Sequence, residues 1–337
     1  RHQDETIPLK YHIIGQETIG PGGFFFAMRT LPVIKQLLRD IKELAPTALL
    51  VNYTNPTQIV AESITHFSDV PCISICDQTK EDRHNILHAL EMPQAQVTLE
   101  SVGLNHATWS TRFEIDGEDG VAVMEKHHKR VLSRPDISER TKRQFQLAAA
   151  YGRLPNSYMQ YYYFREETVA EALAAPKTRA QVIIDMLPGY YRHFQEQITA
   201  EVPCLTHVRG GSLFGDMAVD VLRGLVQRDG SVHTLNIANR SALPDFAADR
   251  IVELPARLES KGATPLVQHR LPSEIIGLLH MLAEYQWLAA DAIWNGNRAS
   301  LERALAANPL VLSLPAARNM LAEVITVQRD LIPEALW

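Results

Sequence analysis

Apolar and polar positions alternate in two rhythms along the first 110 residues. Over residues 24–44 the apolar side chains recur at helical spacing, and Pro32 is expected to kink or offset the first part. Residues 48–53 form a short apolar run rich in strand formers, ended by the breaker Asn55-Pro56. Helical spacing returns over 58–67, a buried-type strand over 70–76, a helix over 79–90 and a strand over 97–104. Strand–helix alternation predicts an α/β fold with a parallel sheet and right-handed crossovers. In such sheets ligands sit outside the carboxyl ends of the strands. Asn55, Cys76-Asp77 and His106 all fall there.

Beyond about residue 120 the pattern changes. Charged helical stretches over 122–132 and 138–150 lead into an aromatic run holding Tyr158, Tyr161, Tyr162 and Tyr163. For any one of these rings, packing in a core or interface is the ordinary role. A second strand-forming region covers 234–237 and 250–254, with the Gly210-Gly211 turn as its expected neighbour. Residues 273–331 are strongly helical and are expected to pack back across the sheet. The division this implies is 1–110 for the first domain and 111–337 for the second.

Charge and cysteine content narrow the class. Lys plus Arg number 33 and Asp plus Glu 39, a net charge of −6, which argues against a general nucleic-acid surface. A local basic pocket for a phosphorylated small molecule stays compatible with that balance. Cys72, Cys76 and Cys204 are too few and odd in number for a paired framework, so a reduced, cytoplasmic setting is expected. No apolar run reaches the roughly 18 residues of a membrane helix. The charged opening Arg1-His2-Gln3-Asp4-Glu5 has no apolar signal core, and the missing initiator methionine suggests a chain that starts partway through its gene product.

Ile75-Cys76-Asp77 and Gly103-Leu104-Asn105-His106 carry the candidate chemistry. A soft thiolate and an imidazole suit a borderline divalent metal, and an adjacent carboxyl suits proton transfer to what the metal holds. A strand-end cysteine is ordinarily buried and inert, so on residue type alone both readings stand. The glycine cluster Gly20-Pro21-Gly22-Gly23 lacks the G-x-G-x-x-G spacing of a dinucleotide fingerprint. It reads as a turn that starts a helix, with direct phosphate contact as the other reading.

Longer motifs point to a family. Asp4 to Tyr11, Gly15-Gln16-Glu17-Thr18, Gly20-Pro21-Gly22-Gly23, Thr54-Asn55-Pro56, Cys76-Asp77 and Gly103-Leu104-Asn105-His106 occur in order. They are followed by Asn156-Ser157-Tyr158 with Tyr161-Tyr162, Thr178-Arg179-Ala180, Arg209-Gly210-Gly211 and Val252-Glu253-Leu254-Pro255. This series resembles the NAD- and metal-dependent glycosidases of glycoside hydrolase family 4. The resemblance implies a Rossmann-like parallel sheet over 1–110, incomplete at its N-terminal side, and a lactate/malate-dehydrogenase-like α+β catalytic domain over 111–337. It also implies that the glycine-rich phosphate loop and first strands precede Arg1, which leaves the cofactor-binding residues unassigned.

The activity implied is hydrolysis of 6-phospho-glucosides with NAD and Mn2+ or another divalent metal. NAD+ takes a hydride from C3, a tyrosine removes the C2 proton, the aglycone is eliminated, water adds, and the hydride returns. By motif position Cys76 and His106 resemble the metal ligands, Asp77 the acid on the leaving oxygen and Tyr158 the C2 base. Arg1, Asn55 and Arg179 resemble substrate contacts. A phenol near pKa 10 needs a nearby cation to act as a base, and the metal and an arginine such as Arg179 are expected to lower it. Cys76-Asp77 favours α-configured, maltose-6-phosphate-like substrates. A 6-phospho-β-glucosidase, a 2-hydroxy-acid dehydrogenase and a sugar-phosphate-binding remnant without cofactor are the alternatives. A homodimer or tetramer is expected. Asn239-Arg240-Ser241 departs from the family pattern, where an Asn-Gly pair is common.

Overall fold

A computed structural model of the protein describes residues 1–204, 214–266 and 270–337. The expected Gly210-Gly211 turn and the motif residue Arg209 lie outside them. The chain opens with α1 (His2–Leu9) and α2 (Gly20–Leu44), then β1 (Leu50–Asn52), α3 (Thr57–Phe67), β2 (Cys72–Ser74) and α4 (Gln78–Leu90). A hairpin of β3 (Val97–Leu104) and β4 (Ala107–Ile115) follows, then β5 (Glu118–Asp119), α5 (Gly120–Ser133) and α6 (Glu139–Tyr151). Next come α7 (Gln160–Tyr163), α8 (Arg165–Ala174), α9 (Arg179–Ile198) and α10 (Phe214–Gln227). Strands β6 (Val232–Ala238), β7 (Ile251–Glu259) and β8 (Gly262–Pro265) precede the closing helices α11 (Ser273–Asn295), α12 (Arg298–Ala306) and α13 (Leu314–Val327).

One mixed sheet runs in the order β1-β2-β6-β7-β3-β4-β5, with β8 on β7. Only β1 and β2 pair in parallel among the described strands, in register Leu50 to Cys72 and Asn52 to Ser74. The expectation that 97–104 continues a parallel series is corrected here. β3 is antiparallel to both β4 and β7, and β6 and β7 stand between it and β2. The reason is local: β3 turns back through Asn105-His106 into β4, so its nearest partner is its own continuation. Gly103 enables that reversal. It sits at φ +147, and a Cβ there would lie 2.4 Å from the Ala107 carbonyl oxygen.

α2 starts earlier than the apolar pattern indicates and runs unbroken through Pro32. Gly22 and Gly23 in its first turn let the loop before it press close. A Cβ on Gly22 would meet the Gln16 carbonyl oxygen at 2.3 Å, and one on Gly23 the Thr18 carbonyl carbon at 2.8 Å. The glycine cluster thus starts a helix, and its smallness seats residues 16–18 against that helix. α2, α3, α11, α12 and α13 share one apolar core, with Phe24, Phe25, Met28 and Ile64 fully enclosed. The helical C-terminal region packs on α2 and α3 and, through α11, on β3. A second core of Ile73, Ile75, Leu104, Trp109, Leu235 and Leu254 lies against the sheet. At Asn239-Arg240-Ser241 the loop after β6 places Arg240 and Ser241 at φ 47 and 66, where a glycine meets no penalty. Asn239 holds that loop closed by donating to the carbonyls of Leu243 and Phe246 and accepting from the Leu243 N–H.

Candidate active site

A cleft of about 380 Å³ opens beyond the carboxyl ends of β1 and β2. Arg1, Asn55, Cys76, Asp77, His106, Tyr158 and Arg179, which the sequence scatters over almost 180 positions, all line it. Three separate devices bring the central four together. Cys76 and Asp77 leave the end of β2, with Asp77 standing at the N-cap of α4. His106 occupies the β3–β4 turn at φ 62. Tyr158 rides on a 3-10 turn (Ser157–Met159) whose start is fixed to β4, because Asn156 N–H donates to the Thr108 carbonyl at 2.8 Å. Asp82, buried on α4, holds the same turn by accepting from Ser157 N–H at 2.9 Å and from Gln78 at 2.8 Å.

Cys76 Sγ and His106 Nε2 lie 3.4 Å apart. Bonds of roughly 2.0–2.3 Å from N and S donors to one divalent ion, at right to tetrahedral angles, put the donors about 3.1–3.5 Å apart. The pair therefore fits a shared cation. Among the described residues no third His, Cys, Asp or Glu joins them, which leaves coordination positions for substrate oxygens or water. The other imidazole nitrogen, Nδ1, meets Thr18 Oγ1 at 2.9 Å, so the loop seated by Gly22 and Gly23 orients the ring.

The electrostatics match a site waiting for positive charge. Burial holds His106 down to about 3, aided by the charge on Arg140, so the imidazole is neutral and offers a lone pair. Burial pushes the Cys76 thiol up, and the nearby carboxyls of Glu253 and Asp77 push it further. A divalent ion held there would oppose that thiol shift. Burial raises Asp77 to about 6, so it carries a proton into the weakly acidic range. Beneath the turn, buried Glu253 accepts from Asn105 Nδ2 at 2.8 Å and from Asn236 Nδ2 at 2.9 Å. It is raised to about 7 by burial.

Tyr158 lies flat on His106, ring centres 4.0 Å apart and planes 18° from parallel. Its phenol is pushed up by burial, against the pull of Arg140. Arg140, on α6, sits over the other part of the picture: its guanidinium is 4.8 Å from the Tyr158 ring centre. Arg140 is thus a cation beside the phenol that the sequence did not single out, and Arg179 lines the same cleft. Arg140 escaped the sequence reading because one arginine in a charged amphipathic helix carries no mark of its own.

At the rim, Arg1 is held by Glu5 at 2.7 Å and by Glu17. Glu5 also accepts from Ala180 N–H at 2.9 Å, so one carboxylate ties Arg1 to the start of α9. Arg179, the first residue of α9, makes no ion pair among the described residues. Asn55 donates to Glu17 at 3.3 Å and accepts from the Thr57 hydroxyl at 2.9 Å. Gln16, Glu17, Thr18, Tyr53 and Tyr161 also line the cleft. Gln16 to Thr18 stood inside a family motif, but nothing in their type or spacing assigned them a partner.

Comparison with known proteins identifies the family. The model for family 4 glycosyl hydrolases matches residues 1–92, and that for the family's C-terminal domain matches residues 101–311. The chain is 28% identical to a 6-phospho-beta-glucosidase of Escherichia coli, over 99% of this chain and 76% of that protein. To a maltose-6'-phosphate glucosidase of Bacillus subtilis it is 27% identical, over 99% and 77% of the respective lengths. A crystal structure of the 6-phospho-beta glucosidase of Thermotoga maritima with manganese, NAD+ and glucose-6-phosphate is similar at TM-score 0.83. That match is 25% identical and covers 98% of this chain and 78% of that one. With matches to both parts of the family model spanning most of its length, the chain belongs to the family 4 glycosyl hydrolases.

Proposed function

We propose that the protein hydrolyses 6-phospho-glucosides, with α-configured, maltose-6-phosphate-like compounds as its substrates. The observation that carries this reading is the convergence of Cys76, His106, Tyr158 and Asp77 on one cleft, in a chain whose relatives act on phosphorylated glucosides. When bound, NAD supplies reversible hydride exchange at a sugar carbon and the divalent metal supplies Lewis acidity toward sugar oxygens. Cys76 and His106 are the residues that would hold the metal. For NAD, the loops after β1 and β2 fit the sugar-facing rim of a nucleotide site, and the described residues include no pyrophosphate-cradling glycine turn.

The chain's own groups divide the remaining work. Tyr158 takes the C2 proton, and Arg140 above its ring favours the phenolate that this requires. Asp77, protonated up to about 6, gives a proton to the departing oxygen at C1. Arg179, which makes no ion pair among the described residues, anchors the sugar phosphate, while Arg1 must share itself with Glu5 and Glu17. Asn55 positions a sugar hydroxyl. Free cysteines throughout the described chain support a cytoplasmic setting.

Cys76-Asp77 supports the α reading, and the named β-glucosidases among the relatives support the β one. p-Nitrophenyl α- and β-glucoside 6-phosphates, assayed with NAD+ and Mn2+, separate them. Faster phenol release from the α compound, with no net NADH, is expected. Faster release from the β compound overturns the anomer. Net NADH from a 2-hydroxy acid, without glycoside turnover, overturns the hydrolase assignment itself.

A further inference from the structure

Gln58 is buried at the second position of α3, and its amide reaches two other elements at once. Its Oε1 accepts from the Asn105 N–H at 3.2 Å. Its Nε2 donates to the Ile251 carbonyl at 2.6 Å and meets Glu62 Oε1 at 3.5 Å. Glu62, one turn along the same helix and also buried, accepts from the Ile251 N–H at 2.9 Å and pairs with His66 Nε2 at 3.0 Å. Two side chains of α3 thus hold the first residue of β7 by both its backbone groups. One of them also holds the turn between β3 and β4.

That turn bears His106. Asn105 and His106 lie beyond the last ladder pair of the hairpin, Leu104 with Ala107, so the buried Asn105 N–H needs an acceptor from elsewhere. An amide is the uncharged group that accepts on one atom and donates on another, as Asn105 and Ile251 together require. Leucine or methionine would fill similar space and leave the Asn105 N–H buried and unsatisfied. Three side chains therefore grip the turn. Glu253 on β7 takes the Asn105 amide, Thr18 takes His106 Nδ1, and Gln58 takes the backbone. Gln58 alone of the three comes from the helix that follows Asn55, and the neighbouring Thr57 hydroxyl donates to Asn55.

Sheet order makes this grip matter. Cys76 follows β2 and His106 follows β3, and β6 and β7 stand between those strands. The 3.4 Å approach of the two donors is therefore set by loops and not by adjacent strands. α3 packs on β2, β6 and β7 and so spans the gap. We propose that Gln58 is a positioning residue: it fixes the His106 turn against α3 and sets the imidazole at the distance from Cys76 that a shared cation needs. It acts through the Asn105 backbone, touching neither ion nor sugar. The inference rests on Cys76 and His106 holding the metal.

Hydrogen–deuterium exchange of the metal-free full chain and Mn2+ titration calorimetry, run on the same variants, test it. In the unmodified protein the Asn105 amide is protected. Gln58→Met speeds its exchange by about tenfold or more and weakens Mn2+ binding by roughly tenfold. Gln58→Glu, which keeps an acceptor facing Asn105, holds both close to the unmodified values. Ile64→Ala opens a cavity on the same helix and lowers the urea midpoint while leaving Mn2+ affinity unchanged, which separates positioning from general loosening. Unchanged exchange in Gln58→Met overturns the tie. Faster exchange with unchanged Mn2+ affinity overturns the positioning role, as does an equal loss of affinity in Ile64→Ala. An unmodified protein that takes up no Mn2+ overturns the metal reading and this inference with it. The exchange data need no ion, so they tell that failure from a missing tie. Should Gln58→Met not fold by circular dichroism, Gln58→Asn, one methylene shorter, replaces it with the same expected losses.

Discussion

The two walls of the cleft are built by different rules. On the parallel side, β1 and β2 stop after three residues each, and the loops beyond them deliver Asn55, Cys76 and Asp77. On the antiparallel side, β3 and β4 run through a two-residue turn that presents His106. The first wall places its groups by ending strands. The second places one group by reversing a strand, and then secures the turn from below through Asn105, Glu253 and Asn236. Asn55, Cys76 and Asp77 thus sit on loops after strand ends, and the buried polar network sits under His106, where the chain must be held in an unfavourable backbone shape.

The sharpest way to break this contrast is to remove one donor from each wall. Cys76→Ala and His106→Ala should each lower kcat/KM by roughly a thousandfold or more, since a Lewis acid contributes several kcal/mol. Both should abolish Mn2+ dependence while leaving far-UV circular dichroism unchanged. A variant that keeps metal-dependent turnover shows that its wall does not hold the ion.

Asp77→Asn tests the parallel wall alone. Turnover of a disaccharide phosphate should fall about a hundredfold, and turnover of a nitrophenyl glucoside far less, because an activated phenol needs little protonation. The same group sets a pH dependence. An acid raised to about 6 is protonated below that value, so disaccharide turnover should decline as pH rises through it, with a flatter profile for the nitrophenyl substrate. Equal loss on both substrates removes the acid role.

Glu253→Gln tests the network under the other wall. Its carboxyl is raised from 4.5 to about 7, so the folded protein binds more protons than the unfolded chain between those values. Stability therefore falls as pH climbs through that window. Gln keeps an acceptor for Asn105 and Asn236 but cannot ionise. Urea unfolding at pH 5 and pH 8 should differ by on the order of 2 kcal/mol less in the variant than in the parent. Thr18→Val, the mildest change, removes the oxygen that orients the His106 ring, and Mn2+ affinity measured by titration calorimetry should drop about tenfold.

Much of this was legible in the order of residues. The apolar runs over 48–53 and 70–76 announced the strands that the structure shows as Leu50–Asn52 and Cys72–Ser74, and Cys76, His106 and Tyr158 stood in motifs long enough to name a family. The sheet order was not legible. That β6 and β7 enter between β2 and β3 depends on pairings across more than a hundred residues, which periodicity does not encode. The partners of the reacting groups were hidden for a related reason. Arg140 is one of 33 basic residues, and only the fold lays it over Tyr158. Thr18 stands in a family motif, yet its type names no partner, and its role depends on two glycines that let a loop lean inward.

The face-to-face stacking of Tyr158 on His106 makes the phenol an internal gauge. Two rings pressed together cannot tilt independently, so an imidazole pulled toward an ion drags its neighbour along. Magnetic resonance of that one tyrosine ring would then register occupancy of the ion before any sugar arrives, without a label or a reaction.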